Sequence, residues 1–412
     1  MAQEDGDQKR AVLELSPAEE RAVHDEVWDV IYHTLECEDA FNRNGASVDR
    51  KTWKQVRAND NLRVYKHRKQ PTQNSFESSR ETFSTDCIAA PELLSPQDVN
   101  ISSGQWRMSL FSNISGSSGT SESSVGEDPT APELLCVGYV EGDVNDLTYG
   151  AYDGDDVAWR IRSTYLRDKL ADARFLARIE TPTDEEPFRF LGVKWFAIEY
   201  PPVVGSFIAK RDTLVIEATG TAVDQRGMPY SYYALQDFKH PILPEKTAPN
   251  VVRIHSSFCF ISRQVTPERI AVYARGRMDV GGDLMKSVGL AIASISIAST
   301  ANAVETSYNK KLVWLMAQQE TQRRLTLASP IPGPVPACDS CLKPGGGILA
   351  RGLTNCQVCG HIFCSKCSVT KKLVVDVTEG SLRPLTFCFG CVLEAKQLSP
   401  VQVARATLVK NP

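Results

Sequence analysis

Residues 251–282 read VVRIHSSFCFISRQVTPERIAVYARGRMDVGG, and this stretch decides the fold. Two runs rich in Val, Ile, Phe and Tyr, 251–265 and 269–280, flank the short turn Thr266-Pro267-Glu268. That is the spacing of an antiparallel hairpin. Gly281 and Gly282 then end the strand, and the period turns helical as far as about residue 326. Leu284, Val288, Ile292 and Ile295 make one stripe, continuing on small residues such as Ser299. Ala291, Ala293, Ala298 and Ala301 keep the helix slim. A long helix with such a face is expected to lie close against a sheet.

Working back from the hairpin, five further segments read as strands: 134–142, 174–181, 193–200, 212–222 and 230–238. Gly, Pro and Asp/Asn separate many of them at hairpin distances, which favours an antiparallel sheet. Residues 155–170 read as a helix between the first two. Near the start, Ser16, Pro17 and Glu19 have the spacing of a capping box. They open an amphipathic helix over 16–41 with Val23, Val27, Val30, Ile31 and Leu35 on one face. Trp53 and the run LRVYKHRK (62–69) follow as the first strand. The stretch 71–133 holds 15 serines in 63 residues without a period and reads as a disordered insertion. Four prolines in 328–337 make a stiff linker. The resulting division is a tail over 1–16, a first domain over 17–326, the linker 327–337, a cysteine-rich segment 338–393 and a tail over 394–412.

Composition bounds the chemistry. The chain has 412 residues, 42% apolar and 23% charged, with 46 Lys/Arg against 50 Asp/Glu and a net charge of −4. That balance argues against a protein that grips nucleic acid over its whole surface, and no nucleic-acid partner is expected. The acidic, polar start MAQEDGDQKR has neither signal nor transit-peptide character. The longest uncharged run, between Lys286 and Glu305, is too polar and slightly too short to cross a bilayer. A cytoplasmic protein is expected, with any membrane association peripheral.

Twelve cysteines are divided unequally. Cys37, Cys87, Cys136 and Cys259 are scattered and read as small core or surface residues. The other eight form four C-x2-C pairs in the pattern C-x2-C-x14-C-x2-C-x4-C-x2-C-x20-C-x2-C. Each pair sets two thiolates on one turn at a separation that suits tetrahedral zinc. A disulfide framework would need an oxidising compartment. In a cross-brace, pairs one and three (Cys338, Cys341, Cys364, Cys367) share one ion. Pairs two and four (Cys356, Cys359, Cys388, Cys391) share the other. Two structural zinc ions with no open coordination position follow.

Certain residues of the first domain resemble the START (steroidogenic acute regulatory protein-related lipid transfer) family. They are Trp53 with LRVYKHRK, Arg211-Asp212 opening a strand, His240-Pro241 and Pro244, Arg253, and Asp279-Val280-Gly281-Gly282 before the last helix. The resemblance implies an α+β helix-grip fold, in which a curved antiparallel sheet wraps a long C-terminal helix. It also implies one lipid of unspecified class held in the cavity between them, with the last helix as part of a lid. Strand parity alone leaves two choices of face, so no pocket residue is assigned. Arg211 and Arg253 are expected to be salt-bridged structural residues and His240 a turn residue.

The gap of four between Cys359 and Cys364, in CQVCGHIFCSKCS, resembles the FYVE zinc finger. That family binds phosphatidylinositol 3-phosphate on endosomal membranes through a basic patch. Here the patch falls on Gly352, Leu353, Thr354, Asn355, Cys356 and Gln357, with only Arg351 basic beside it. The apolar pair Ile348-Leu349 remains where the family enters the bilayer. Ile348, Leu349 and Arg351 are therefore the candidate membrane contacts, with weak attraction to anionic lipid. A rival reading makes the finger a RING-like protein-interaction module on a non-enzymatic scaffold. His24, His33, His67 and His255 have no catalytic or metal spacing, and no nucleophile elbow or phosphate loop is present. An enzyme is not expected.

Overall fold

The structure, a computed structural model, describes residues 13–68, 131–166, 170–198, 209–241, 251–282, 286–325, 337–344 and 352–409. Helix α1 (Pro17–Arg43) opens with the expected reciprocal cap. The Glu19 amide donates to the Ser16 hydroxyl, and the Ser16 amide donates to the Glu19 carboxylate at 2.7 Å. Its buried side is Val23, Val27, Ile31, Thr34, Cys37 and Glu38.

Among the described residues nine strands form one sheet: β1 (Trp53–Asn59), β2 (Leu62–His67), β3 (Glu133–Glu141), β4 (Leu170–Glu180), β5 (Phe190–Ile198), β6 (Lys210–Val223), β7 (Pro229–Asp237), β8 (Val251–Thr266) and β9 (Arg269–Asp279). Their spatial order is β1-β2-β3-β9-β8-β7-β6-β5-β4. Neighbours run antiparallel, and the quoted hairpin is β8–β9. Trp53 and Leu62 lie on two strands rather than one. Asp60, with φ 49°, turns the chain between them. Short helices α2 (Val144–Ala151) and α3 (Asp156–Leu166) lie between β3 and β4. The sequence offered no sign of α2, because this eight-residue helix buries Asp146 and Thr148 beside Leu147 and Tyr149 and so has no clean apolar stripe.

The sheet is covered on both faces. Ten consecutive residues of β6 are buried, their side chains alternating between the two faces of the sheet. Leu214, Ile216 and Ala218 join Tyr230, Tyr232, Ala234, Cys259 and Ile261 under α1. Phe258, Phe260, Val272 and Ala274 face the other way, toward the last helix.

That last helix is in three pieces: α4 (Lys286–Ala298), a 3₁₀ turn (Ser299–Asn302) and α5 (Ala303–Leu325). The stripe expected to be buried is only partly the one used. Ile295 is 48% exposed, while Ala293, Ile297 and Ala298 are buried. Small side chains let the helix approach the sheet, so contact distance rather than hydrophobicity selects the face. Leu284 lies outside the described residues.

Of the residues that carried the family resemblance, Arg211, Asp212, Arg253 and Val280 meet at one joint; Trp53 and Leu62 to His67 lie on β1 and β2, and Lys69 and Pro244 lie outside the described residues. Beyond the end of β7, β6 and β8 pair directly in parallel over Lys210–Thr213 and Val251–Ile254. There Arg253 forms a double hydrogen bond to Asp212 at 2.7 and 2.8 Å, and the Trp195 indole donates to the same carboxylate at 2.9 Å. Arg211 donates to the carbonyls of Val280 and Ala209 at 2.9 and 2.8 Å. Both arginines are thus structural. His240 pairs with Glu19 at 3.5 Å and His255 with Asp237 at 3.0 Å.

In the C-terminal segment, β10 (Leu353–Asn355) pairs with β11 (Ile362–Cys364) and β12 (Ser368–Leu373) with β13 (Arg383–Cys388). Helix α6 (Phe389–Gln397) follows, then α7 (Pro400–Ala404) and a π turn (Arg405–Val409). The region 394–412, read from sequence as a tail, is therefore folded as far as 409. Val403 and Ala404 are buried with Tyr149 and Phe188 of the first domain. The finger and the helix-grip domain share a packed interface rather than standing apart on a linker. Of the insertion and linker, residues 69–130 and 326–336 lie outside the described residues. The insertion leaves from β2 and returns as β3, its neighbour in the sheet.

Gly281 holds φ 61°, and a Cβ there would meet Val252 at 2.6 Å and the Arg253 carbonyl at 2.8 Å. The substitution Gly281→Ala is therefore expected to cost about 2 kcal/mol, from left-handed strain plus the clash. Urea unfolding of the two proteins side by side measures it; equal midpoints would show that the joint carries no such constraint.

Candidate functional site

Between the inner sheet face and the helices lies a cavity of about 90 Å³. Strand parity, undecided in the sequence, is settled here: Ser231, Tyr233 and Leu235 of β7 line it, with Phe258, Phe260 and Ser262 of β8. Leu147 and Thr148 of α2 and Arg162 of α3 form a side wall. Ile297, Ser299 and Thr300 close the roof where α4 passes into the 3₁₀ turn. Sites for drug-sized ligands run to about 300–1,000 Å³, so a ligand of that size enters only if this roof yields.

One end of the cavity is backed by buried charge. Lys194, on β5, is wholly buried, and its ammonium donates to Glu217 of β6 at 2.6 Å and to Asp153 at 2.9 Å. It also donates to the Asp153 carbonyl at 2.8 Å. The rings of Trp159, Phe175 and Phe190 surround it within 4.7 to 5.0 Å. Arg162 reaches the second oxygen of Asp153 at 3.1 Å, and the Tyr233 hydroxyl donates to Glu217 at 3.2 Å. Arg162 and Tyr233 are the two members that also face the cavity.

Two cations meet two acidic groups, each hydrogen-bonded, which is what makes burial of the set tolerable. The acids are driven apart nonetheless. Burial, and then the charge of Asp153, lifts Glu217 to about 8. Burial would raise Asp153 too, but Lys194 and Arg162 outweigh it and hold that acid below the ordinary carboxylate range. Sequence reasoning missed this cluster. Its only signal was Lys194 and Glu217, each inside a mostly apolar run, VKWFAI and TLVIEAT.

The eight cysteines converge as the cross-brace requires. The side chains of Cys338, Cys341, Cys364 and Cys367 come together, and so do those of Cys356, Cys359, Cys388 and Cys391. Within each set the sulfur atoms lie within 4.8 Å of one another. Cys341 and Cys364 Sγ are 3.8 Å apart. A zinc tetrahedron with bonds of about 2.3 Å has an edge of about 3.8 Å, so the geometry and the all-thiol donor set fit the ion. Backbone amides already point at the sulfurs, Cys388 N to Cys356 Sγ and Cys391 N to Cys388 Sγ, each at 3.3 Å. Amides of Cys341 and Cys364 bring the Cys338 thiol down to about 6. None of the eight forms a disulfide, and neither do the buried Cys37, Cys136 and Cys259; Cys87 lies outside the described residues. His361 is no ligand: it lies 3.4 Å from the Asp339 carboxylate.

Ile348, Leu349 and Arg351, the candidate membrane contacts, also lie outside the described residues. Asn355, Gln357, His361 and Asp339 line a shallow surface pocket on the finger. Asp339 accepts from the Ile362 amide at 2.7 Å.

Fold and site together define a START-like helix-grip domain joined to a two-centre cysteine finger. No family model matches the chain, and no curated protein is similar to it in sequence. Among solved structures, it is similar to human STARD10 at 13% identity and TM-score 0.35, over 72% of this chain and 89% of that one. It is also similar to human StAR-related lipid transfer protein 5, at 11% identity and TM-score 0.39, over 70% and 97%. A STAR-related lipid transfer protein fragment from Xanthomonas axonopodis shares 9% identity at TM-score 0.31, over 61% and 94%.

A carboxylate raised in the folded state stabilises that state fully below its unfolded value, and the stabilisation fades as pH rises through the folded one. Glu217 therefore costs the protein stability progressively between about pH 4.5 and 8. Glu217→Gln removes that slope, so the variant gains on the wild type as pH rises from 5 to 8. Denaturation midpoints across that range decide it; parallel curves would mean that Glu217 does not titrate there.

Proposed function

We propose that this protein binds a single lipid molecule in the helix-grip cavity and carries or presents it without catalysis. The observation that supports this reading most is the cavity itself. It is walled by Phe258, Phe260, Leu235 and Ile297, with polar hydroxyls and the Arg162–Tyr233 edge gathered around it. An apolar chain gains by leaving water for the walls. A polar headgroup needs hydrogen-bonding partners once buried, and Arg162, Thr148, Ser231 and Tyr233 supply them. The charges behind that edge are paired internally, and none is left over as a free base.

The two cysteine centres hold structural zinc, each through four thiolates, so the ions supply folding energy rather than chemistry. Among the described residues no helix is long and apolar enough to cross a membrane. The finger meets membranes peripherally through Ile348 and Leu349, with Arg351 attracted to anionic headgroups. The patch positions Gly352 to Gln357 hold no basic residue, which makes this attraction general for anionic lipid rather than specific for phosphatidylinositol 3-phosphate.

Native mass spectrometry of the intact protein from cells is expected to give two zinc ions and one co-purifying lipid per chain. A chain that stays empty after incubation with mixed liposomes would sink the lipid reading and leave a scaffold. Flotation with vesicles containing phosphatidylserine tests the docking step. Ile348→Glu with Leu349→Glu should abolish flotation while zinc content stays at two. Unchanged flotation would place the membrane contact elsewhere.

A further inference from the structure

Two consecutive lysines on α5 hold the molecule's two parts together. Lys310 and Lys311 are both buried, Lys311 completely. The Lys310 ammonium donates to the carbonyls of Tyr149 at 2.8 Å and Tyr152 at 3.2 Å, at the C-terminal end of α2. Lys311 donates to the Asp146 carboxylate of α2 at 2.7 Å. It donates as well to the carbonyls of Leu398 at 2.9 Å and Lys396 at 3.2 Å, where α6 of the finger ends. The last carbonyls of a helix lack partners within it and lie at the negative end of its dipole, so each ammonium meets acceptors that need a cation. One of these helix ends belongs to the helix-grip domain and the other to the finger.

Apolar packing runs along the same line. Leu312 and Leu315 of α5 share a core with Val358, Leu373 and Phe387 of the finger and with the thiols of the second cysteine set. Lys371 of β12 pairs with Glu305 at 2.6 Å, and the Tyr165 hydroxyl of α3 accepts from the Val374 amide at 3.1 Å. Finally Val403 and Ala404 return to Tyr149 and Phe188, closing the finger onto α2. Every one of these attachments to the last helix falls on α5, beyond the 3₁₀ turn. On its other side α4 carries the exposed Ile295, and its buried face is built of Gly289, Ala293 and Ile297.

We infer that the finger is a brace: it clamps α5 against α2 as a fixed wall, and the cavity opens by movement of α4 alone, pivoting at Ser299–Asn302. The roof residues Ser296 and Ile297 are on α4 itself, so a swing of α4 lifts them from the cavity while Ala303 and Thr306 stay in place. The finger's thiol centres, by ordering the core that receives Leu312 and Leu315, set how firmly the wall stands. The inference does not rest on the lipid reading, since a chain with no affinity for any lipid would still divide its last helix in this way.

Hydrogen exchange followed by mass spectrometry on the full-length zinc-loaded protein tests it. Amides of α4 should exchange at least ten-fold faster than those of α5, the range between local opening and a core element. Lys311→Met, which keeps the length and loses the donor, should speed exchange over α5 on the order of ten-fold. Protection of β5 to β8 and the count of two zinc ions should be unchanged. Wild-type α5 exchanging as fast as α4, or α5 unmoved by Lys311→Met, would overturn the brace. Should that variant lose its sheet protection, stripping zinc from the wild type with a high-affinity chelator decides the matter. Finger and α5 must then lose protection together while the sheet keeps it. An α5 still protected beside an opened finger, or a sheet that opens with it, refutes the inference.

Discussion

A sheet that is apolar on both faces must be covered on both, and most of this molecule follows from that constraint. Along β6 no position faces solvent over ten residues: Leu214, Ile216 and Ala218 enter the core under α1, while Val215, Glu217 and Thr219 are buried on the other side. One cover is α1, a continuous amphipathic helix. The other has to be assembled from α2, α4 and α5, because the inner face is concave and no single straight helix fills it. The space left between these pieces is the cavity. Its position on the inner face of β7 and β8 is thus a by-product of covering a curved sheet.

The same burial forces the polar groups of the interior to find one another. Lys194 and Glu217 come from neighbouring strands, and Asp153 from the loop between α2 and α3. Removing such ions from water costs several kcal/mol each, so the set holds only because every charge meets an opposite one. It contributes little net stability, but it fixes how the α2–α3 loop sits against β5 and β6, and it brings Arg162 to the cavity wall. On the α1 side of the sheet, Asp212 and Arg253 do the comparable task where β6 and β8 meet in parallel.

The finger illustrates a limit of small modules. A segment of about fifty residues with two short hairpins cannot bury enough apolar surface to stand on a core alone. Its thiol centres supply one remedy. Its contact with Leu312 and Leu315 supplies another, and the cost is independence: the segment is an extension of the last helix's packing. The proline-rich stretch before it looks in sequence like a spacer, yet the chain on its far side comes back to the helix it left.

How legible each part was depended on whether its cause is local. The Ser16–Glu19 cap, the two β-runs around Thr266-Pro267-Glu268 and the four cysteine pairs are set by residues a few positions apart, and the sequence alone determined them. The pairing of the cysteine sets followed from the family resemblance and is the pairing the structure forms. What only the tertiary structure decided are the contacts made across long separations. Strand parity left the cavity face open until α1 was seen to occupy the other side. The stripe through Ile295 misled because slim residues such as Ala293 pack closer to a sheet than bulky ones. Lys194 with Asp153 and Lys311 with Leu398 are 41 and 87 residues apart. Nothing in a linear pattern marks a buried lysine as paired, because the partner that makes its burial tolerable is brought there by the fold.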